Sequence, residues 1–335
     1  MRIAYVLVEG YATLQNGIIS QALNWRMSIE EMGHTVDLIS MWDKNHWEEY
    51  DIIHYFGHSS YMAQHIKRLH GHSARIVVSP ILDPDYPVWK LWLLSRFGYG
   101  TMVTNYYHSF REVKDKINLV LTRSEFEKKY ITKGVGFKKE QCTTIPLSCD
   151  IPVEATASQE KENFCFHCSL LADKRKNVKR LIEAARKYHF KLILGGYLRT
   201  DEEKKLIESW IGDAPNIEYR GHLSKKDLFD LYSRAKVFAL PSTNEGVGIV
   251  GLEAALMGCD IVLTSYGGPK EYYNGMAKIV NPYSVDDIGQ AIVDLLNRET
   301  RPNKLSEHIR RQYSAELIAI QLETSYQNLL HDDCR

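Results

Sequence analysis

Two acidic residues, Glu245 and Glu253, are separated by seven others within Phe238–Gly258, FALPSTNEGVGIVGLEAALMG. An apolar run ends at Leu240, Pro241–Asn244 reads as a turn, and a helical pattern begins within Gly246, Val247, Gly248 and Ile249. Small residues at such a place leave the first N–H groups of a helix uncovered, and those groups with the helix dipole hold an anion such as a pyrophosphate. Glu245 stands at the turn. Glu253 lies further in, with its side chain tilted back toward the helix start. Carboxylates repel phosphate, so their use beside a diphosphate is to accept hydrogen bonds from hydroxyls, each worth about 1.5–3 kcal/mol. A nucleotide sugar has that layout, with a sugar at one end and a ribose at the other. The spacing of two glutamates alone is common, and Glu253 also reads as a helix acid satisfied by the dipole. The weight comes from the order of strand, turn, glycines, helix and a later Gly-Gly-Pro-Lys-Glu.

The rest of the chain must place that turn at the end of a parallel strand. Short β-branched runs at Arg2–Val8, Thr35–Ser40, Ile52–Phe56, Arg75–Ser79 and Leu119–Thr122 alternate with helical spacing such as Ile18–Met32. From Asp150 to Asn163 the chain turns polar and reads as a linker. The alternation resumes with strands at Phe164–Cys168, Lys191–Gly195, Ile217–Arg220, Val237–Leu240 and Asp260–Thr264. Helices are expected at Val178–His189, Glu202–Trp210, Lys225–Ala235, Gly248–Met257, Val285–Asn297 and Ala315–Leu330. This pattern implies parallel sheets covered on both faces. The domains expected are 1–150, joined by the last helix at about 315–335, and 151–314.

Bulk properties narrow the classes. The 335 residues suit two domains, and 44% hydrophobic with 25% charged content is that of a globular protein. Zero formal net charge gives no whole-molecule attraction to nucleic acid. Six cysteines without a paired framework suit a reducing compartment, the opening MRIAYVLVEG is too short for a signal peptide, and no window reaches a spanning length. A cytoplasmic protein, peripheral on the inner face of a membrane at most, is expected.

The residues around Glu245 also resemble the signature of the GT4 family of retaining glycosyltransferases. KNVKRLIEA (Lys176–Ala184), GHLSKKDLFDLYSRAKVFALPS (Gly221–Ser242) and YGGPKE (Tyr266–Glu271) are similar to further segments of that family. So are Asn16–Gly17, MGHTVDLIS, TRSEFEKKYI and TTIPLSCD in the first half. The resemblance implies a GT-B fold, two doubly wound Rossmann-like domains facing across a cleft. The first would bind the acceptor, and the second a UDP-, GDP- or ADP-linked sugar. It assigns Glu245 to the transferred sugar, Glu253 to the ribose, and Gly246, Val247, Gly248 and Ile249 to the phosphates. Lys176, with Arg175 beside it, would neutralise the leaving diphosphate, and Gly17 would let a first-domain loop approach the phosphates. The acceptor would be a glycan, a lipid-linked or a small-molecule hydroxyl, with no metal and no cofactor. Two family features differ: Cys168–Leu171 stands where Gly-Arg is usual before the lysine, and VVSPILDPDY (Val77–Tyr86) carries no histidine. Arg175 is the candidate replacement for the first, and Asp83, His58 or backbone atoms for the second.

Other groupings read as structural. Asp83-Pro84-Asp85 could chelate a divalent ion but sits between turn-forming prolines, and Cys165-Phe166-His167-Cys168 falls inside an expected strand. The segment Tyr86–Phe97, YPVWKLWLLSRF, is either a helix buried in the first domain or a peripheral contact with a membrane. An epimerase or phosphorylase of the same architecture and a non-catalytic nucleotide-sugar binder are the alternatives. EGYATLQNG lacks the G-x-G-x-x-G of a dinucleotide site, which disfavours an oxidoreductase.

Overall fold

The computed structural model describes residues 1–8, 17–39, 45–69, 73–97, 106–149, 160–299 and 304–331. The first-turn segment 9–16, with Asn16, and most of the expected linker, 150–159, lie outside the described residues. The chain divides into two compact units, Met1–Ser148 with Ala315–Arg335, and Cys149–Ser314.

The first unit carries a parallel sheet of β1 (Arg2–Leu7), β2 (Thr35–Leu38), β3 (Ile52–Phe56), β4 (Arg75–Ser79), β5 (Leu119–Thr122) and β6 (Cys142–Thr144). Their order is β2-β1-β3-β4-β5-β6. All five residues of β3 and all four of β5 are buried. Covering a parallel sheet on both faces demands such unbroken apolar runs. Around it lie α1 (Gly17–Glu31), α2 (Ser60–Arg68), α3 (Val88–Phe97), α4 (Tyr106–Glu112) and α5 (Glu125–Lys129), the last continuing into a π-helical turn, Tyr130–Val135. Ser59 and Ser124 cap α2 and α5, each accepting from the N–H three residues on.

The second unit repeats the scheme with β7 (Glu162–Cys168), β8 (Leu192–Gly195), β9 (Ile217–Tyr219), β10 (Ala235–Leu240), β11 (Asp260–Thr264) and β12 (Lys278–Val280). The order is β12-β11-β10-β7-β8-β9, parallel throughout. The strand thus begins at Glu162, inside the stretch read as linker. The helices are α6 (Val178–Tyr188), α7 (Asp201–Ile211), α8 (Lys225–Arg234), α9 (Ile249–Leu256), α10 (Val285–Asn297) and α11 (Lys304–Gln312). Strand connections run outward in both directions from the β7–β10 pair. That is the topological switch point of a doubly wound sheet, beyond whose carboxyl ends ligands bind.

The chain then returns to the first unit as α12 (Ala315–His331), against α1. Its Tyr326 hydroxyl lies 2.7 Å from His54 Nδ1 and 3.1 Å from the Tyr5 hydroxyl, all three side chains being fully buried. Burial holds the His54 pKa down at about 3, so the ring is neutral. Its Nε2 lies 2.9 Å from Ser79 Oγ at the end of β4.

Candidate functional site

The β7–β10 switch point brings together residues that the sequence separates by about seventy positions. After β7 the chain makes a single 3₁₀ turn, Lys174–Lys176, capped by Asp173. Thr243 N–H, after β10, donates to the Arg175 carbonyl at 2.8 Å, tying the two loops edge to edge. Between them lies Glu245, with its carboxylate nearly enclosed. Lys176 Nζ donates to Oε2 at 2.8 Å, Arg175 Nη1 to Oε1 at 3.2 Å, and Ser242 Oγ to Oε2 at 3.0 Å. Arg175 Nη2 also lies 3.8 Å from Asp173 Oδ2, so two cations and two carboxylates form one cluster where β10 hands over to α9.

The helix start is shaped for an anion. In the second unit Thr200, Ser224 and Ser284 close α7, α8 and α10 with hydroxyl caps. The two helices that begin at the switch point have no side-chain cap: Asn177 precedes α6 and Gly248 precedes α9, both left-handed. At Gly248 the φ of +73° suits glycine, and a Cβ would stand 2.8 Å from Leu240 Cδ2. Among the described residues, the N–H groups of Gly246, Val247, Gly248 and Ile249 donate to no other backbone group. Those of Gly248 and Ile249 are orphan donors of the helix N-terminus, and those of Gly246 and Val247 lie in the turn leading into it. Gly267 of the next loop, with φ +97°, bridges to Glu245, and a Cβ there would collide with the Glu245 carbonyl oxygen.

Glu253 sits one turn into α9, facing α8. Among the described residues its carboxyl accepts a single hydrogen bond, a long one of 3.4 Å, from the Tyr232 hydroxyl. Burial raises its pKa to about 7, so near neutrality the carboxyl is half protonated and under-bonded. Such a group gains much from a hydroxyl brought to it. His167, next to last in β7, is neutral for the same reason: burial lowers its pKa to about 4. Its Nδ1 faces the Ala239 carbonyl at 2.7 Å and its Nε2 faces Ser169 Oγ at 2.7 Å, fixing the loop that leads to Lys176.

Of the residues singled out from sequence, Arg175, Lys176 and Glu245 are in direct contact, with Gly246–Ile249 adjoining and Glu253 on the same helix. Gly17 opens α1 in the other unit, where a Cβ would meet nothing within 4 Å. Asp83 is engaged by Arg123 Nη2 at 2.6 Å, and Arg123 also holds buried Glu127 at 3.0 Å. His58 Nδ1 lies 2.8 Å from the Pro80 carbonyl and its ring stacks on Tyr107. Cys165 is buried in β7, as the strand reading expects, and burial pushes the Cys168 thiol up to about 12. Three contributors escaped sequence reasoning: Ser242, His167 and Asn177. Asn177 Nδ2 donates to the carbonyls of Pro241, at 2.9 Å, and Pro282, at 2.6 Å, clamping the two loops beside the site. An asparagine directly before a helix was the available signal.

The architecture, two Rossmann-like units each on a six-stranded parallel sheet, is the GT-B fold. Sucrose-phosphate synthase from Thermosynechococcus elongatus has a similar structure, with a TM-score of 0.76 at 16% identity over 99% of both chains. Anabaena HepE, in complex with UDP, gives 0.76 at 14% identity over 98% of this chain and all of its own. Residues 153–312 match the family model of glycosyl transferases group 1. That match spans just under half of the chain, nearly all of the second unit, and supports a GT4-type glycosyltransferase. The O-antigen chain mannosyltransferase B of Escherichia coli is 26% identical over 215 residues, 57% of this chain. That alignment spans 55% of the relative, so the chain covers about half the length of the curated protein it matches.

Proposed function

We propose that this protein is a retaining, metal-independent glycosyltransferase. The second unit takes a UDP-, GDP- or ADP-linked sugar, and the first unit presents the acceptor. The acceptor is a hydroxyl of a glycan, a lipid-linked or a small-molecule substrate. Cell-surface polysaccharide or glycoconjugate synthesis is the setting, in keeping with the O-antigen and capsular relatives. The location is cytoplasmic, with peripheral membrane contact through Tyr86–Phe97. One observation carries the reading: Glu245, held by Lys176 and Arg175, at the head of a helix whose first N–H groups are free.

A diphosphate at that helix start meets the N–H groups of Gly246–Ile249 and the two cations, which then divide between phosphate and Glu245. Glu245 accepts from hydroxyls of the transferred sugar, and Glu253 from the ribose. As the bond from the anomeric carbon to phosphate lengthens, negative charge grows on the leaving oxygen, where Lys176 and the helix amides stabilise it. The acceptor oxygen bonds to that carbon on the same face, and its proton passes to the departing phosphate oxygen. Glu245 positions the sugar and does not attack it.

The test is transfer from a panel of nucleotide sugars after thermal-shift screening, with the anomeric configuration of donor and product compared by NMR. Glu245→Ala or Lys176→Ala should cut turnover about 10²–10³-fold, as losing one preorganised polar contact to a transition state does. Wild-type rates in both variants would defeat the assignment. A strict need for free phosphate would mark a phosphorylase, and epimerised donor an epimerase.

A further inference from the structure

Helix α3 turns its apolar face outward. Only Leu91 and Ser95 are buried, so the reading of this helix as buried in the first domain fails. Trp89 is 63% exposed, Phe97 66%, Leu93 41% and Trp92 39%. At about 100° per residue, Trp89, Trp92, Leu93, Arg96 and Phe97 fall within roughly 140° of arc, away from Leu91 and Ser95. A stripe of four large apolar side chains with one cation along its middle is the reverse of a helix that serves a soluble core.

A second observation concerns charge. The Arg96 guanidinium lies over the Trp92 ring, 4.4 Å from its centroid, and donates to the Gly134 carbonyl at 3.1 Å. Arg111 of α4 donates to the neighbouring Val135 carbonyl, so both guanidinium groups converge on Gly136, where an added Cβ would touch each of them. Neither arginine has a carboxylate partner among the described residues. Burial, and then Arg111, lower the Arg96 pKa, so the two guanidinium groups repel one another, while the carboxylate that feels Arg111, Asp115, is itself paired with Lys114. Lys90 of the same helix and Lys133 of the π-helical turn are exposed. From Tyr61 to Lys133 basic residues outnumber acidic ones about two to one.

We propose that this face docks on an anionic lipid bilayer, with Trp89, Trp92, Leu93 and Phe97 entering the headgroup–acyl boundary and Arg96 with Arg111 taking a lipid phosphate. Aromatic side chains favour that boundary, and interfacial binding combines buried apolar area with attraction to anionic lipid. Cationic residues near such a surface add to it and lose effect as salt rises. The proposal deepens the membrane part of the functional reading and stands apart from its chemistry, since none of these residues belongs to the donor site.

The experiment is co-sedimentation of the full chain with phosphatidylcholine vesicles, with and without phosphatidylglycerol. Wild type should sediment with the anionic vesicles, less without phosphatidylglycerol and less in high salt. Trp89→Ala with Phe97→Ala should lose at least about tenfold in partitioning. Both positions are about two-thirds exposed, so the fold should survive, with melting and nucleotide binding by the second unit as controls. Quenching of wild-type tryptophan fluorescence by brominated lipid gives a readout that needs no variant. Wild type remaining in the supernatant, the double variant binding undiminished, or unquenched tryptophan would overturn the proposal. So would a dimer that the double variant dissolves, since a second copy would then be the occupant. Loss of sugar transfer with vesicle binding intact would instead refute the reaction and leave the docking surface standing.

Discussion

Replacing Glu253 by glutamine should make the protein more stable and the donor site weaker. The reasoning starts from burial, which places the folded-state pKa at about 7 against an ordinary 4.5. A carboxyl whose pKa is raised by folding contributes stability below its unfolded pKa and loses it as pH rises toward the folded value. At pH 8 the shift of about 2.5 units corresponds to about 3 kcal/mol that the ionised group withholds from the fold. Glutamine keeps the shape and removes the ionisation. Glu253→Gln should therefore raise the melting temperature at pH 8 by several degrees, at about 2–4 °C per kcal/mol for a unit of this size, and by little at pH 4. Binding should move the other way. Ribose hydroxyls donate to the ionised form, so wild-type affinity for a nucleotide sugar should fall about tenfold between pH 8 and pH 6. The diphosphate of such a donor is already diesterified and does not titrate there. In Glu253→Gln that dependence should vanish, and affinity at pH 8 should drop about tenfold or more with the charge-assisted bond. Calorimetric titration and thermal melts across pH read both quantities. A variant melting like wild type at pH 8, or binding with the same pH profile, would refute the argument.

Two further perturbations probe the scaffold. Gly267→Ala drives a methyl into the Glu245 carbonyl at a φ of +97°, so it should cost about 1–3 kcal/mol and displace the carboxylate, seen as lower melting and weaker donor binding together. Tyr326→Phe removes the hydroxyl that faces His54 and Tyr5, which should cost about 1–3 kcal/mol in denaturant unfolding of the first unit while the second unfolds as before.

Much of the fold could be read from local pattern. Ile52–Phe56, Arg75–Ser79, Leu119–Thr122, Asp260–Thr264 and Val285–Asn297 have the boundaries that periodicity and flanking turns suggest. The three-residue strands β6 and β12 at the sheet edges are too short to show a period, and they are set by pairing with β5 and β11. Glu162 and Asn163 look like linker because they are polar, yet they extend β7 where it starts alongside β10. Helix α3 misleads for the opposite reason: composition gives its greasiness, while only tertiary packing says which way that face turns. At the site, the glutamates, glycines and lysine announce themselves by type and spacing. Asn177, Ser242 and His167 do not. Asn177 and His167 act on carbonyls 64 to 105 residues away, and such a partnership has no local signature.

The first unit is assembled from segments on either side of the second, and that ordering bears on biosynthesis. On a ribosome the strands of its sheet emerge early, but the Tyr326 hydroxyl that engages His54 and Tyr5 arrives only after the entire second unit. Cys149–Ser314 is continuous in the chain and can finish folding as it appears, leaving the earlier segment waiting with an open seam for its last helix. Premature termination before Ala315 should thus spare the later-made half and strand the earlier one as a target for chaperones and proteases.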